Sequence, residues 1–395
     1  MRVQFAPSGV GLGHAGRCIP IARGLQEQNK NTQVFFSTYL DAVDYVRTEG
    51  FPTVEIPPMD FKVKPDGTVD FRRTAMNPGP FVAPFHFLEQ VGKEIEVMET
   101  FEPDVVVSDS RASPLVAAKM LGIPTLCILN QFQVIIPRRT HYLRLAKFAD
   151  AMTLAILGKI WTSGIKVMIP DFPQPYTIST NNLRIPQAFK KKIQLIGPIL
   201  PVHPDALPTK EQLRDKLCLD EKKSVVFAPI SGPLKERVYL INILQKIFTN
   251  FPDDYQIVMS LGYPESQAVP VRHGNLTTYK WILHRFEYMK ACDIVVARAG
   301  HGTILQAICF GKPSILIPTP SHTEQLNNSR KAEKLGVALT IQQDALSVKT
   351  VLSTIEKFMG NKSFSERLVQ IQEATEMVDG LEAAIKATLE AGGGG

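Results

Sequence analysis

The residues best suited to chemistry lie in two glycine-bearing turns, Ser8-Gly9-Val10-Gly11-Leu12-Gly13-His14 and Arg298-Ala299-Gly300-His301-Gly302-Thr303. Each follows a short apolar run and precedes a stretch of helical periodicity, so each is expected to be a strand-turn-helix junction. A helix that begins on glycine leaves its first backbone N–H groups unpaired at the positive end of its dipole, where a phosphate or pyrophosphate can be held. Arg298 and His301 would add donors there. A histidine such as His14 can take up a proton near neutral pH, and a carboxylate partner would fix its tautomer. The plain alternative for residues 298–303 is a β-turn-α connection with glycine at a tight bend.

The elements that must position these residues alternate strand and helix. Strands are expected over residues 3–7, 33–37, 53–56, 103–109 and 124–129, with helices over 15–28, 41–48, 84–101 and 113–121 between them. Spacing of this kind indicates a parallel sheet covered on both faces, whose ligands sit outside the carboxyl ends of the strands. His14, Asp109 and Asn130-Gln131 all follow a strand's carboxyl end and would share one rim. A last strand over 192–198 and a proline-stiffened linker put a domain boundary near Pro201. Strands at 224–229, 255–260, 276–279, 293–297 and 314–318, again separated by helices, then make a second domain. The tail from 348 to 390 reads as helical. The expected organisation is α/β, with domains over 1–200 and 201–360 and terminal helices over 361–395 that could return to the first domain.

Composition narrows the function classes. The chain has 395 residues, 44% of them hydrophobic, enough for two cores. A net charge of +6 is mild for this length and does not call for a nucleic-acid partner. The five cysteines, Cys18, Cys127, Cys218, Cys292 and Cys309, form no C-x-x-C pair and read as reduced core residues rather than a disulfide frame or metal site. No D-x-D motif and no His/Cys cluster with ligand spacing occurs. The opening MRVQFAPSGVG is too short and interrupted for a signal peptide, and no run of 18 apolar residues follows. A cytoplasmic protein is expected.

Two segments carry alternatives. The stretch between Pro57 and Pro80, with Arg72 and Arg73, reads either as a lid over a bound molecule or as plain disorder. Residues 132–165 set Arg138, Arg139, His141, Arg144 and Lys147 before Leu154, Ile156, Leu157, Ile160 and Trp161. That pattern fits a peripheral membrane-surface element on the inner face of a membrane, or a helix packed on the sheet with a solvated basic edge.

Gly11, Gly13 and Gly16 also satisfy G-x-G-x-x-G, the dinucleotide fingerprint. That fingerprint wants an acidic residue at the end of the second strand to hold a ribose, and the strand here ends Ser37-Thr38-Tyr39.

The run from Ala291 to Gln325 has an aspartate-led strand, R-A-G-x-G-T, a G-K-P break, an apolar strand ending in proline, and then E-Q. It resembles the donor-binding signature of GT-B glycosyltransferases, in particular the MurG-type N-acetylglucosaminyltransferases and the UDP-glycosyltransferases. The glycine loop ending at His14 is similar to the acceptor-side loop of the same branches. The resemblance implies two Rossmann-like doubly wound domains facing a central cleft, and inverting, metal-independent transfer of a sugar from a nucleotide diphosphate, UDP by similarity, to a hydroxyl of a small-molecule or lipid-linked acceptor. No cofactor beyond that co-substrate is implied.

Residue by residue, the resemblance places Trp281 under the nucleotide base and lets Ile282 offer backbone groups to its edge. Gly13, Ser231, Gly232, Arg298, Gly300, His301, Gly302 and Thr303 fall to donor and diphosphate binding. Glu324 and Gln325 match the pair that contacts donor-sugar hydroxyls, and His14 with Asp109 matches the histidine–aspartate catalytic pair. Gln306 stands where the family usually has a glutamate on the ribose, a departure that weakens the UDP assignment. A nucleotide-sugar 2-epimerase or a non-catalytic nucleotide-sugar-binding subunit would use the same architecture.

Overall fold

Short, almost continuously apolar runs become the strands of two sheets. The computed structural model describes residues 1–58, 83–132, 143–264, 266 and 269–393, without the side chains of 83–84, 143–150, 153 and 235. The first sheet contains β1 (Arg2–Pro7), β2 (Gln33–Thr38), β3 (Thr53–Glu55), β4 (Val105–Asp109), β5 (Thr125–Ile128), β6 (Lys166–Ile169) and β7 (Ile193–Leu195), in the order β3-β2-β1-β4-β5-β6-β7. Every neighbouring pair is parallel. β4 and β5 are buried along their whole length, as helices on both faces require. β6 has no counterpart among the expected elements.

The second sheet contains β8 (Ser224–Pro229), β9 (Tyr255–Ser260), β10 (Val271–His273), β11 (Leu276–Tyr279), β12 (Ile294–Ala297), β13 (Ser314–Leu316) and β14 (Ala338–Thr340), in the order β10-β11-β9-β8-β12-β13-β14. All its pairs are parallel except the hairpin of β10 with β11. Successive residues of one strand feed opposite cores: Val225, Phe227 and Val295 enter one cluster, Val226, Ala228 and Val296 the other. The hairpin strand β10 and the last strand β14 are additions to the expected set.

In both sheets the strand order reverses at one place, between β1 and β4 and between β8 and β12. Such a switch point opens a crevice at the carboxyl ends of the two strands, the usual ligand position in this architecture.

The chain forms two units. One takes the described residues up to Pro201 and again those from Val378 on; the other takes Val202–Met377. The expected terminal segment 361–395 is therefore divided. Helix Ser363–Thr375 stays with the second unit, where Gln372 Nε2 donates to the Cys309 carbonyl at 2.7 Å. Helix Gly380–Ala391, capped by Asp379, packs in the first unit on helix Gly13–Gln28, with Ile385 against Gly24.

The segment 132–165 resolves its two alternatives in part. Within helix Leu143–Trp161, Leu154, Leu157, Ile160 and Trp161, four of the five apolar residues expected to meet a membrane, pack on the cluster formed by Leu115, Cys127, Val167 and Ile169. Met152 and Ile156 remain exposed. The basic residues Arg138, Arg139 and His141, the side chains of Arg144 and Lys147, and the expected lid from residue 59 to 80 lie outside the described residues. Among the described residues no helix is long and apolar enough to cross a membrane.

Candidate active site

The first rim is set by strand register. Pro7 at the end of β1 pairs with Asp109 at the end of β4, and the Ser8 amide donates to the Asp109 carbonyl at 2.9 Å. The glycine turn then leads into helix Gly13–Gln28, whose first turn carries His14 and, one turn on, Arg17. A Cβ at Gly13 would meet nothing within 4 Å, so the helix start beside His14 is open.

Asp109 is fully buried between the two side chains. Its Oδ1 lies 2.8 Å from His14 Nδ1 and accepts Arg17 Nη2 at 2.7 Å, while its Oδ2 accepts Arg17 Nε. Burial works to raise this carboxyl, but the charges and hydrogen bonds of Arg17 and His14 outweigh it and hold the group at about 2. The ionised carboxylate can only accept, which favours a proton on His14 Nδ1 and the lone pair on Nε2; Arg17 Nη2, 2.9 Å from the same Nδ1, can only donate and opposes it. Among the described residues none hydrogen-bonds Nε2. Asn130 Oδ1 stands 3.5 Å from Arg17 Nη2, at the end of β5 as expected. Cys18 and Cys127 lie beside the same carboxylate, and burial first, with its negative charge second, pushes both thiols up and keeps them protonated.

The turn is supported from beneath by a buried polar network. Ser8 Oγ and the Tyr39 hydroxyl are 3.2 Å apart, Arg111 stands 5.3 Å over the Tyr39 ring, and Arg111 Nη2 donates to buried Glu94 at 2.6 Å.

The second rim collects the loops after β8, β12 and β13. Ser231 and Gly232 follow β8 half-buried; Gly232 has φ +115°, which favours glycine, and its carbonyl accepts Arg237 Nη1 at 3.2 Å. Helix His301–Cys309 starts at Gly300 with no side-chain cap, and its first backbone bond runs from the Ile304 amide to the Gly300 carbonyl. A Cβ at Gly300 or Gly302 would meet nothing within 4 Å. Among the described residues nothing fills the space beside these two positions, at the end of the helix where amides can hold an anion. Thr303 is half-buried beside them, and Gln306, half-buried, lies one turn along the same face.

Two residues are placed differently from expectation. Arg298 was expected to donate to the diphosphate; it is 5% exposed, and its Nη1 and Nη2 bond the carbonyls of Ile317 and Glu236. A buried guanidinium stabilises itself on nearby carbonyls, and here that makes it a brace between loops. His301 is likewise buried, so at this terminus it offers its backbone amide rather than an exposed ring. Gln325 is partly committed, with its Oε1 accepting the Thr319 amide at 2.9 Å, while Glu324 beside it is half-buried in the first turn of helix Thr323–Leu335. Trp281 and Ile282 follow β11, which β9 separates from β8; Trp281 is half-buried and Ile282 has its side chain in the core beside Phe286.

Sequence reading missed Arg17, Glu94, Arg111, Glu236 and Thr319. Arg17 was signalled by its three-residue spacing from His14 on one helix. Glu236 is 4% exposed and accepts Thr319 Oγ1 at 3.1 Å; burial raises its carboxyl, while His322, Thr319 and Arg298 pull the other way. Nothing in the local sequence marks it. Among the described residues no group of His, Cys, Asp and Glu could hold a metal ion, and all five cysteines are free.

Residues 235–383 match the family described as the glycosyltransferase family 28 C-terminal domain, so the match covers the second rim's helices and most of its loops. Over nearly its whole length the chain is also similar to an uncharacterized glycosyltransferase of Methanosarcina mazei, 25% identical with 97% of this chain and 96% of the relative covered. The chain is a GT-B glycosyltransferase. A relative from Desulforamulus reducens, 26% identical over 98% of this chain and 97% of its own, is named a UDP-N-acetylglucosamine--N-acetylmuramyl-(pentapeptide) pyrophosphoryl-undecaprenol N-acetylglucosamine transferase. The crystal structure of the glycotransferase of kitacinnamycin shares the fold, with a TM-score of 0.66 at 14% identity and 99% and 98% of the two chains covered. A glycosyltransferase of this kind draws on a nucleotide-sugar donor and an acceptor. In this glycosyltransferase His14 and Asp109 lie at the switch point of the first unit, and the loops after β8 and β12 at that of the second.

Proposed function

We propose that this glycosyltransferase moves a sugar from UDP to an acceptor hydroxyl by a single inverting displacement, without a metal ion. The observation that carries the reading is the His14–Asp109 hydrogen bond at the β1/β4 switch point, which leaves Nε2 as the proton acceptor. His14 takes the proton of the acceptor hydroxyl as its oxygen attacks the anomeric carbon; Asp109 holds the imidazole tautomer and balances the charge that forms. The nucleoside diphosphate departs with the bonding electrons. Its charge is met at the open terminus of residues 300–303 by backbone amides and the helix dipole.

Glu324 contacts donor-sugar hydroxyls, Gln306 the ribose, and Trp281 with Ile282 the base. An amide grips a diol less strongly than a carboxylate, so Gln306 favours a looser donor site than a glutamate would give. The name of the Desulforamulus relative supports UDP as the nucleotide and a lipid-linked acceptor. Work in the cytoplasm, at the inner membrane face, follows from such an acceptor.

The test combines binding and turnover. UDP at 100 times its dissociation constant should stabilise the folded enzyme by about 2.7 kcal/mol, more than ADP, GDP or dTDP at equal concentration. His14→Ala should keep that shift and lose transfer from UDP-sugars by roughly a hundredfold or more. Transfer at the parent rate by His14→Ala would overturn the mechanism, and a shift with a different diphosphate would overturn the donor.

A further inference from the structure

We propose that Arg17 is a positioning residue of the catalytic pair: it clamps Asp109 so that one carboxylate oxygen faces His14 and the imidazole is kept in a single uncharged tautomer. This rests on the reading of His14 as the base. Two adjacent guanidinium nitrogens, Nε and Nη2, engage the two oxygens of Asp109, a fork that fixes the plane of the carboxylate as well as its charge. The oxygen that takes Nη2 is the one that faces His14 Nδ1, and Nη2 itself stands 2.9 Å from that nitrogen. A guanidinium can only donate and an ionised carboxylate can only accept, so the two compete for His14 Nδ1; the shorter contact, 2.8 Å to the carboxylate against 2.9 Å to Nη2, puts the proton on Nδ1 and leaves Nη2 there as a neighbouring charge. A lone aspartate could rotate away from the ring; one forked through both oxygens cannot.

The same geometry sets a fixed positive charge against the ring. Asp109 alone would favour the doubly protonated imidazolium, which has no lone pair to offer. Arg17 sets a like charge against that attraction, 2.9 Å from Nδ1. The other groups around the ring do not supply such a charge. On its own helix stands Cys18, on β5 Cys127, both held as thiols, and Asn130 is neutral. Helix Gly380–Ala391 meets helix Gly13–Gln28 through Ile385 at Gly24, and the Arg23–Glu49 pair lies more than two turns along. A residue there only to fill space or hold the fold would not need to fork both oxygens of a catalytic carboxylate.

The experiment compares Arg17→Gln and Arg17→Lys with the parent enzyme. Histidine 15N NMR, with His14 assigned by its absence in His14→Gln, reads the tautomer, and the pH dependence of kcat/KM reads the base. The parent should show Nδ1–H. Arg17→Gln should show mixed tautomers, kcat about tenfold to a hundredfold lower with donor affinity unchanged, and an acid limb moved to higher pH. Arg17→Lys keeps the charge but not the fork, so its acid limb should stay in place while the tautomer loosens. If Arg17→Gln does not fold, Arg17→Lys carries the test through its tautomer. A folded variant with the parent's tautomer and pH profile would overturn the clamp. Loosened tautomers with unchanged turnover would instead overturn His14 as the base.

Discussion

Arg298 reaches Glu236 through the wrong end of the residue: the guanidinium Nη2 donates to the backbone carbonyl of Glu236 at 3.2 Å, while the carboxylate turns to Thr319. With Nη1 on the Ile317 carbonyl, one buried side chain ties the loop after β12 to the helix after β8 and the end of β13. Burial lowers Arg298 to about 10, with Glu236 pulling the other way, and the group stays charged near neutral pH. Arg298→Gln should therefore cost about 2–3 kcal/mol of stability, from buried carbonyls left unpaired, and weaken UDP binding by disarranging all three loops. A denaturant melt reads the first effect. A variant as stable as the parent would show that the brace is not needed.

Glu236 gives a pH test in the same cluster. Its carboxyl is raised in the folded state, chiefly by burial. A raised carboxyl favours folding while protonated; that contribution is complete below an unfolded value of about 4.3 and is lost as pH rises through the folded value. Glu236→Gln should therefore melt higher than the parent at pH 7, and the gap should close below about pH 4. Calorimetry at both pH values decides it. A parent that is the more stable at pH 7 would mean that the carboxylate's partners outweigh its burial.

Gly302 separates binding from folding. A Cβ there meets no atom of the described residues within 4 Å. Gly302→Val should change stability by no more than about 1 kcal/mol while filling the space in front of the helix amides. UDP affinity measured by titration calorimetry should fall by at least about tenfold, the equivalent of 1.4 kcal/mol. Undiminished affinity would place the diphosphate elsewhere.

Gly380 tests the return of the chain to the first unit. A methyl group there would overlap the backbone carbonyls of Gly197 and Pro198, which cannot yield as a flexible side chain would. Gly380→Ala should destabilise the first unit by about 1–3 kcal/mol, seen as a lower thermal midpoint. An unchanged midpoint would show that the crossing relaxes freely.

Much of the fold was legible because parallel strands buried on both faces write themselves as unbroken apolar runs. β8, β9 and β11 lie at the expected residues, and β1, β2, β4, β5, β12 and β13 within a few residues of them. The short strands β6, β10 and β14 were not legible; the pairing of β6 and β14 depends on partners distant in the chain. The helical tail read as one stretch from 348 to 390 is broken at Gly360 and at the Asp379 cap, and its parts go to different units.

The sequence by itself determined the chemistry-bearing positions that sit at strand ends. A strand's carboxyl end is a local feature, and His14, Asp109 and the 298–303 turn all carry its marks. Only the tertiary structure decided what those side chains do with their hydrogen bonds. Arg298 was drawn inward to carbonyls 19 and 62 residues away, and His301 was buried. Arg17 was recruited to a carboxylate 92 residues distant because Pro7 and Asp109 share a register. The reason is physical: a charge taken out of water must find its partner within hydrogen-bond reach, and which groups lie within reach is settled by sheet register and helix packing rather than by neighbours along the chain.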